Sequence, residues 1–298
     1  MKNASTHVKL LAVAFIWGLG WVAGRVVAQE IPPFTAGWIR YIIAVVCFFA
    51  FLKATKQWIV PSKDQWKIIT AIGFLSTFLY QAFFMYGMKW TAAGDASLMI
   101  TFNPVFTAIL AVPFLGEKFD SRLAAGLFFA VSGVGVIAWY SPNVDIPVNE
   151  RLMGDALIGM AALSWACTTI LMKKAMSGEN PLSPLHLTVW ASAVGLLIQT
   201  PTVIWEYSQV GFPVDASGEA WAWLAFLAIL STVLSYVWFA DGIRVIGAGR
   251  SAMYVYLVPI FGIIGGWLIL DEKLGLSLIA SFVLIVGGVY LAQSKESS

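Results

Sequence analysis

Apolar residues run in long blocks along this chain, and the polar residues that divide them fall at fairly even spacing. A helix that spans a bilayer needs about 20 mostly apolar residues. Ten such blocks are legible, at about 9–28, 34–52, 66–87, 94–114, 121–140, 154–174, 184–205, 221–243, 249–269 and 275–293, each bounded by Pro, Gly or charge. They predict an all-α membrane protein of ten transmembrane helices. The longest connections, about 53–65, 141–153 and 206–220, are too short for a separate domain. The first block follows Lys2 and Lys9 and so resembles a signal peptide. It holds Trp17, Trp21 and Arg25 and has no convincing cleavage site, which predicts a retained first helix.

Composition agrees with the pattern. Of 298 residues, 59% are apolar and 11% charged, with a mean hydropathy of +0.81. Soluble chains run at about 45–50% apolar and about 25% charged. So little charge cannot coat a water-facing surface, and a lipid bilayer is the expected partner. The net charge of +2 argues against a nucleic-acid partner. Cys47 and Cys167 lie inside apolar runs, with no disulfide framework and no metal-ligand spacing. They are expected to be buried, inert thiols, and no metal or cofactor is expected.

Lysine and arginine orient the bundle. With the N-terminus in the cytoplasm, 13 fall inside and 3 outside (Lys89, Arg151 and Lys273), leaving Arg25 and Arg40 within helices. Both termini are therefore expected in the cytoplasm.

The chain also repeats itself. A shift of 155 residues brings Trp66 onto Trp221, Ser76–Thr77 onto Ser231–Thr232, Phe84 onto Phe239, Pro104 onto Pro259, Glu117–Lys118 onto Glu272–Lys273 and Gly133 onto Gly288, without a gap. Ala14–Gly18 similarly matches Ala162–Ala166. Five helices per half is an odd number, so the second half (150–298) must insert inverted relative to the first (1–141). Inverted repeats are a transporter signature, with the substrate near the midplane between halves.

At this point the residues resemble a known family. "IPPFTAGWIRYIIAVV" (Ile31–Val46), "NPVFTAILAVPFLGEKF" (Asn103–Phe119) and "VPIFGIIGGWLILDEKL" (Val258–Leu274) are similar to motifs of the EamA-type branch of the drug/metabolite transporter superfamily. The second copy departs in carrying Asp271 where Gly is usual. The likeness covers the whole chain and, within the branch, is greatest to bacterial YddG-type exporters of aromatic amino acids. It implies ten helices, inward termini and export of amino acids or related metabolites across the bacterial inner membrane.

Polar or aromatic groups deep in lipid need a partner or a cavity. Trp17 and Trp165 occupy matching places in the two halves. Tyr80, Gln81, Asn103 and Tyr256 are large and hard to hide. These six are the candidate substrate-binding residues, the alternative for each being packing or a hydrogen bond between helices. Aromatic walls would hold an apolar body or an ammonium, while amides and hydroxyls would fix a carboxylate. Pro104 and Pro259 fall mid-block at matching positions, where each removes a helical hydrogen bond, and are read as hinges or static bends. Arg40 is expected to pack against loop carbonyls rather than touch substrate. His186 is expected at the interface, and Glu117 and Glu272 as solvated helix ends.

No Asp or Glu occupies the central third of any block, which favours a facilitator over a proton-driven pump. No hydrolase, zincin or nucleotide-binding motif is present, so an enzyme is not expected. A channel suits the inverted repeat less well than alternating access. Other small metabolites or drugs remain the alternative substrates, and a monomer is expected.

Overall fold

The computed structural model describes residues 4–116, 119–177 and 181–293, which form helices and no strand. Four of the charges read above, Lys2, Glu117, Lys118 and Lys295, lie outside the described residues. The chain opens with α1 (Ala4–Glu30) and α2 (Pro33–Ala54). Next come α3 (Lys63–Gly73) and α4 (Tyr80–Trp90), joined by a π-helical turn at Phe74–Leu79. A 3-10 turn at Ile100–Phe102 joins α5 (Ala93–Met99) to α6 (Asn103–Leu115), and α7 (Ser121–Tyr140) follows. After the unbroken α8 (Val148–Met176) and α9 (Pro184–Val210), a second π-helical segment, Leu227–Leu234, joins α10 (Gly218–Phe226) to α11 (Ser235–Ile246). The last three helices are α12 (Ala248–Val255), α13 (Val258–Leu270) and α14 (Leu276–Gln293). Among the described residues nine helical stretches are long and apolar enough to cross a membrane; α14 is apolar but shorter.

Local chemistry sets many of the ends. Ser62 and Gln65 form a capping box, so the third stretch starts at Lys63 rather than at the expected 66. Asp120, Ser183 and Ser217 cap α7, α9 and α10 with their own side chains. α2 and α5 have Pro32 and Ala92 at the capping position, and neither has a side chain that can accept a hydrogen bond from the first turn. Glutamates from elsewhere in the chain fill the gap. Glu206 accepts from the amides of Phe34 and Thr35 at 3.1 and 2.7 Å. Glu272 accepts from Ala93 N at 2.5 Å and Gly94 N at 2.9 Å. α6 and α13 end in the left-handed conformation, at Gly116 (φ 70°) and at Asp271 (φ 55°). Asp271 thus occupies the backbone state its glycine counterpart holds, which Asp tolerates better than most side chains.

The halves interlock. α1 packs on α10, α11 and α13, while α8 packs on α4, on α6 and on the first π turn. The most extensive pair is α7 with α14, where Gly126 and Gly288 face each other so closely that a Cβ on either would sit 2.5 Å from the other's carbonyl oxygen. Gly24 and Gly262 also pack inside the fold, against Phe84 and against Ser97 with Trp21. Contrary to expectation, Cys47 and Cys167 are only partly buried. His186 is buried at the start of α9, bridging Ser183 Oγ (2.7 Å) and the Gln57 carbonyl (2.6 Å).

Candidate functional site

The π-helical segments shape the centre of the bundle. Both end at matching residues, Leu79 and Leu234, and each carries the repeated Ser–Thr pair. A π turn shifts the hydrogen-bond register by one residue. Thr232 Oγ1 and Ser235 Oγ accordingly bond carbonyls five residues back, at Leu227 and Leu230. Backbone carbonyls in or beside the turns accept bonds from the opposite half. Trp17 Nε1 donates to Ser231 O at 2.9 Å, and Ser164 Oγ donates to Leu75 O at 2.8 Å. Trp17 and Ser164 are thereby anchored on opposite halves, with Trp165 next to Ser164.

Between the halves lies a cavity of about 260 Å³. Pockets for small molecules commonly run from about 300 Å³ upward, so this one has room for a compact metabolite. Seven of the rings that line it form a continuous run. Phe239 lies 5.2 Å from Trp17, Trp17 5.8 Å from Tyr236, and Tyr236 6.1 Å from Trp165. Trp165 is 5.4 Å from Tyr80, Tyr80 6.1 Å from Phe84, and Phe84 5.2 Å from Trp21. These are centroid distances typical of aromatic pairs. Tyr41, Trp165 and Tyr236 also border a second void of about 20 Å³ beside the hydroxyls of Ser76, Thr77, Thr168, Thr188 and Ser192. That is space for about one water.

Polar groups are few. Arg40, Thr101, Asn103, Ser231 and Tyr256 reach the cavity wall. Asn103 Oδ1 accepts from Thr107 Oγ1 at 3.0 Å. Arg40 is 8% exposed. Its Nε donates to Thr232 Oγ1 at 3.0 Å and its Nη1 to Gln81 Oε1 at 3.2 Å. Its guanidinium lies 5.8 Å from the ring centres of both Tyr41 and Phe84. Among the described residues no carboxylate pairs with it. A buried cation held only by neutral oxygens and ring faces is poorly compensated.

Of the six residues expected to bind substrate, the structure brings Trp17, Tyr80, Asn103, Trp165 and Tyr256 to this cavity. Gln81 does not line it. That side chain is 1% exposed, spends its oxygen on Arg40 and leaves Nε2 without a partner. The expectation for Arg40 was wrong: its bonds go to Thr232 and Gln81 in the bundle centre, not to loop carbonyls. Pro104 lines the cavity, whereas Pro259 is buried beside Val258, which does. Both prolines sit in the first turn of a new helix, after the interruptions at Ile100–Phe102 and Tyr256–Leu257. There their missing N–H costs little. Tyr236 was not among the six candidates, and the only signal for the π turns was the repeated Ser–Thr pair. Among the described residues no group of three or more His, Cys, Asp or Glu is arranged to hold a metal ion.

The end of the bundle that gathers Arg25, Thr91, Asp95, Asn143, Asp155 and Glu272 is rich in buried polar bonds. Arg25 Nη1 donates to the carbonyls of Met88 and Lys89 at 2.9 and 2.7 Å, closing the end of α4. Glu272 is not a solvated helix end: it joins the segment after α13 to the start of α5. Its burial pushes its carboxyl above the usual range, an effect opposed by the Gly94 and Ala93 amides and by the charge of Arg25.

A helical bundle with a central cavity between its interlocked halves suits a membrane transporter, and similarity to known proteins gives the family. The EamA-like transporter family model matches residues 5–139 and 152–293. The chain belongs to that family of transporters and is not an enzyme. It is 27% identical over 294 residues to an uncharacterized transporter of Archaeoglobus fulgidus, covering 99% of each chain. It is also 26% identical over 289 residues to a probable amino-acid metabolite efflux pump of Escherichia coli, covering 95% of this chain and 93% of that one. A solved crystal structure shares the fold with a TM-score of 0.65 at 16% identity, over 97% of this chain and 98% of the other.

Proposed function

We propose that this protein exports amino acids, aromatic ones favoured, or closely related metabolites across the inner membrane. It would do so by alternating access of one central cavity. The observation that carries the substrate class is Arg40: a buried guanidinium with no carboxylate partner among the described residues, at the wall of a largely aromatic cavity. A substrate carboxylate would supply the missing counter-charge in a charge-assisted, bidentate-capable contact. The ring of Trp17, Tyr236, Trp165 and Tyr80 would hold the side chain, and a ring face would hold the ammonium. Gln81 positions Arg40 rather than touching substrate. The E. coli relative, a probable amino-acid metabolite efflux pump, supports this reading.

The carrier is read as a monomer of ten membrane helices with both termini cytoplasmic. Its two halves, 1–141 and 150–298, form inverted five-helix repeats. Helix interruptions at Pro104 and Pro259, where the hydrogen-bond ladder is already open, are the hinges. Among the described residues no carboxylate lines the cavity, and we read substrate as running down its own gradient. Other small anionic metabolites or drugs are the second reading.

The test is counterflow. Purified protein goes into liposomes preloaded with unlabelled phenylalanine, threonine or nothing, and uptake of labelled phenylalanine is followed across imposed pH and sodium gradients. Saturable uptake accelerated by phenylalanine preload, without need of either gradient, is the expected result. No uptake above empty liposomes by folded protein would sink the aromatic assignment.

A further inference from the structure

The polar end of the bundle carries a charge imbalance. Asp95 is 0% exposed, Asp155 2% and Arg151 3%. Asp95 accepts from Ser141 Oγ at 2.5 Å and from Asn143 Nδ2 at 3.2 Å, so each of its oxygens has a donor. Asp155 Oδ1 meets Thr91 Oγ1 at 2.5 Å, but Asp155 Oδ2 has no partner and no access to water. Arg151 bonds neither carboxylate directly. Its Nη1 and Nη2 go to the carbonyls of Ser141 (3.3 Å) and Ala138 (3.0 Å), and its Nε is also without a partner.

The other charged groups around this pair are already engaged. From beyond α13, Glu272 spends both oxygens on the α5 amides, and Lys273 pairs with Asp145 at 2.8 Å. From α1, Arg25 is committed to the end of α4 and faces Glu272 and Glu150. Asp95 and Asp155 therefore lie within electrostatic reach of each other and share one guanidinium. Two enclosed carboxylates with one cation between them do not both stay ionised. The one whose oxygen lacks a donor is the one to be neutralised.

We propose that Asp155, paired with Asp95, is a buried proton-binding site that is occupied when this end of the bundle is closed. A neutral Asp155 can donate its O–H to Thr91 Oγ1 across the same short contact and leaves only a carbonyl oxygen unmatched. The seal over the site is made by the segment after α13. Glu272 holds the α5 amides, and Lys273 N donates to Asn143 Oδ1 at 2.9 Å. Parting those bonds would admit water, and a hydrated Asp155 would release its proton. Acid on this side therefore favours closure and alkali favours opening. The proton regulates one end of the cycle; it does not traverse the cavity. The switching half of the proposal rests on the alternating-access reading, whereas proton occupancy does not.

Infrared spectroscopy of the purified full-length protein tests occupancy. A protonated-carboxyl band near neutral pH should vanish in both Asp155→Asn and Asp95→Asn, since either change leaves one carboxylate for Arg151. It should persist in Glu272→Gln. Wild type lacking any such band, a result that needs no variant to fold, would overturn the proposal, as would a band that survives both substitutions. Switching is read separately. Ser97→Cys lies under the seal in a background of Cys47→Ala and Cys167→Ala, and its rate of thiol modification is measured with and without Asp155→Asn. The ratio of the two rates should climb toward tenfold per pH unit above the range where a hydrated carboxylic acid titrates and below that where the enclosed Asp155 does, because one proton is released on opening there. A flat ratio alongside a confirmed band would overturn the switching and leave the proton site standing.

Discussion

Replacing Glu272 by Ala should unfasten one end of the bundle. Two charge-assisted bonds, at 2.5 and 2.9 Å, would be lost, and the first turn of α5 would have no substitute acceptor because Ala92 occupies its capping position. Hydrogen bonds to charged groups contribute about 1.5–3 kcal/mol each. Burial of the carboxylate opposes them, which brings the net to about 2–3 kcal/mol for the pair. At about 1.4 kcal/mol per tenfold, that weights the equilibrium toward the parted state by roughly 30- to 150-fold. Ser97 is the reporter. It is fully buried between α5 and α13, with Gly262 packed directly on it. In a chain whose native cysteines are replaced by Ala, Ser97→Cys should react with a soluble thiol reagent faster by that factor in Glu272→Ala. Glu272→Gln keeps one acceptor, so an effect of about tenfold follows from losing one of the two bonds. Labelling within twofold of the parent in Glu272→Ala would refute the idea that this carboxylate fastens the two halves.

Two further substitutions test the fold. Asp271→Gly should raise the thermal midpoint in detergent by the equivalent of roughly 0.5 kcal/mol, because glycine occupies the left-handed state at φ 55° without strain; the mirror change Gly116→Ala should lower it by about 1 kcal/mol, and equal melts for both would argue against the left-handed caps. Gly288→Ala places a methyl 2.5 Å from the Gly126 carbonyl and 2.7 Å from Ala130 N, so α7 and α14 must separate at a cost of about 1–3 kcal/mol. Gly287→Ala meets nothing within 4 Å and should be neutral or slightly stabilising in the same melt.

Much of this architecture was written in local patterns. Apolar blocks, bounding prolines and the 155-residue register located the helices, and the matched pairs Ser76–Thr77 and Ser231–Thr232 fell on the two π turns. What stayed hidden depends on partners far apart in the chain. Arg40 bonds Thr232, 192 residues away, and no local rule distinguishes that from a contact with loop carbonyls. Glu272 reads as a solvated end until α5, nearly 180 residues earlier, is seen to lack a cap of its own. Gln81 was expected to bind substrate, but its oxygen goes to Arg40 and it stands behind the cavity wall. Asp155 gave no sign, because an acidic residue near a helix end is ordinary until its second oxygen is found enclosed and unmatched.

The most direct test of the account is competition for labelled phenylalanine exchange in proteoliposomes, with unlabelled phenylalanine set against the same amine lacking its carboxylate, in wild type and in Arg40→Met. A hydrogen bond to a charged group contributes about 1.5–3 kcal/mol, or roughly 10- to 150-fold in affinity. Wild type should prefer the carboxylate-bearing competitor by a factor in that range, and Arg40→Met, with its fold verified by the same melt as wild type, should lose the preference. Equal competition in wild type, or a preference that survives in Arg40→Met, would contradict the assignment of Arg40 as the anchor of the substrate carboxylate.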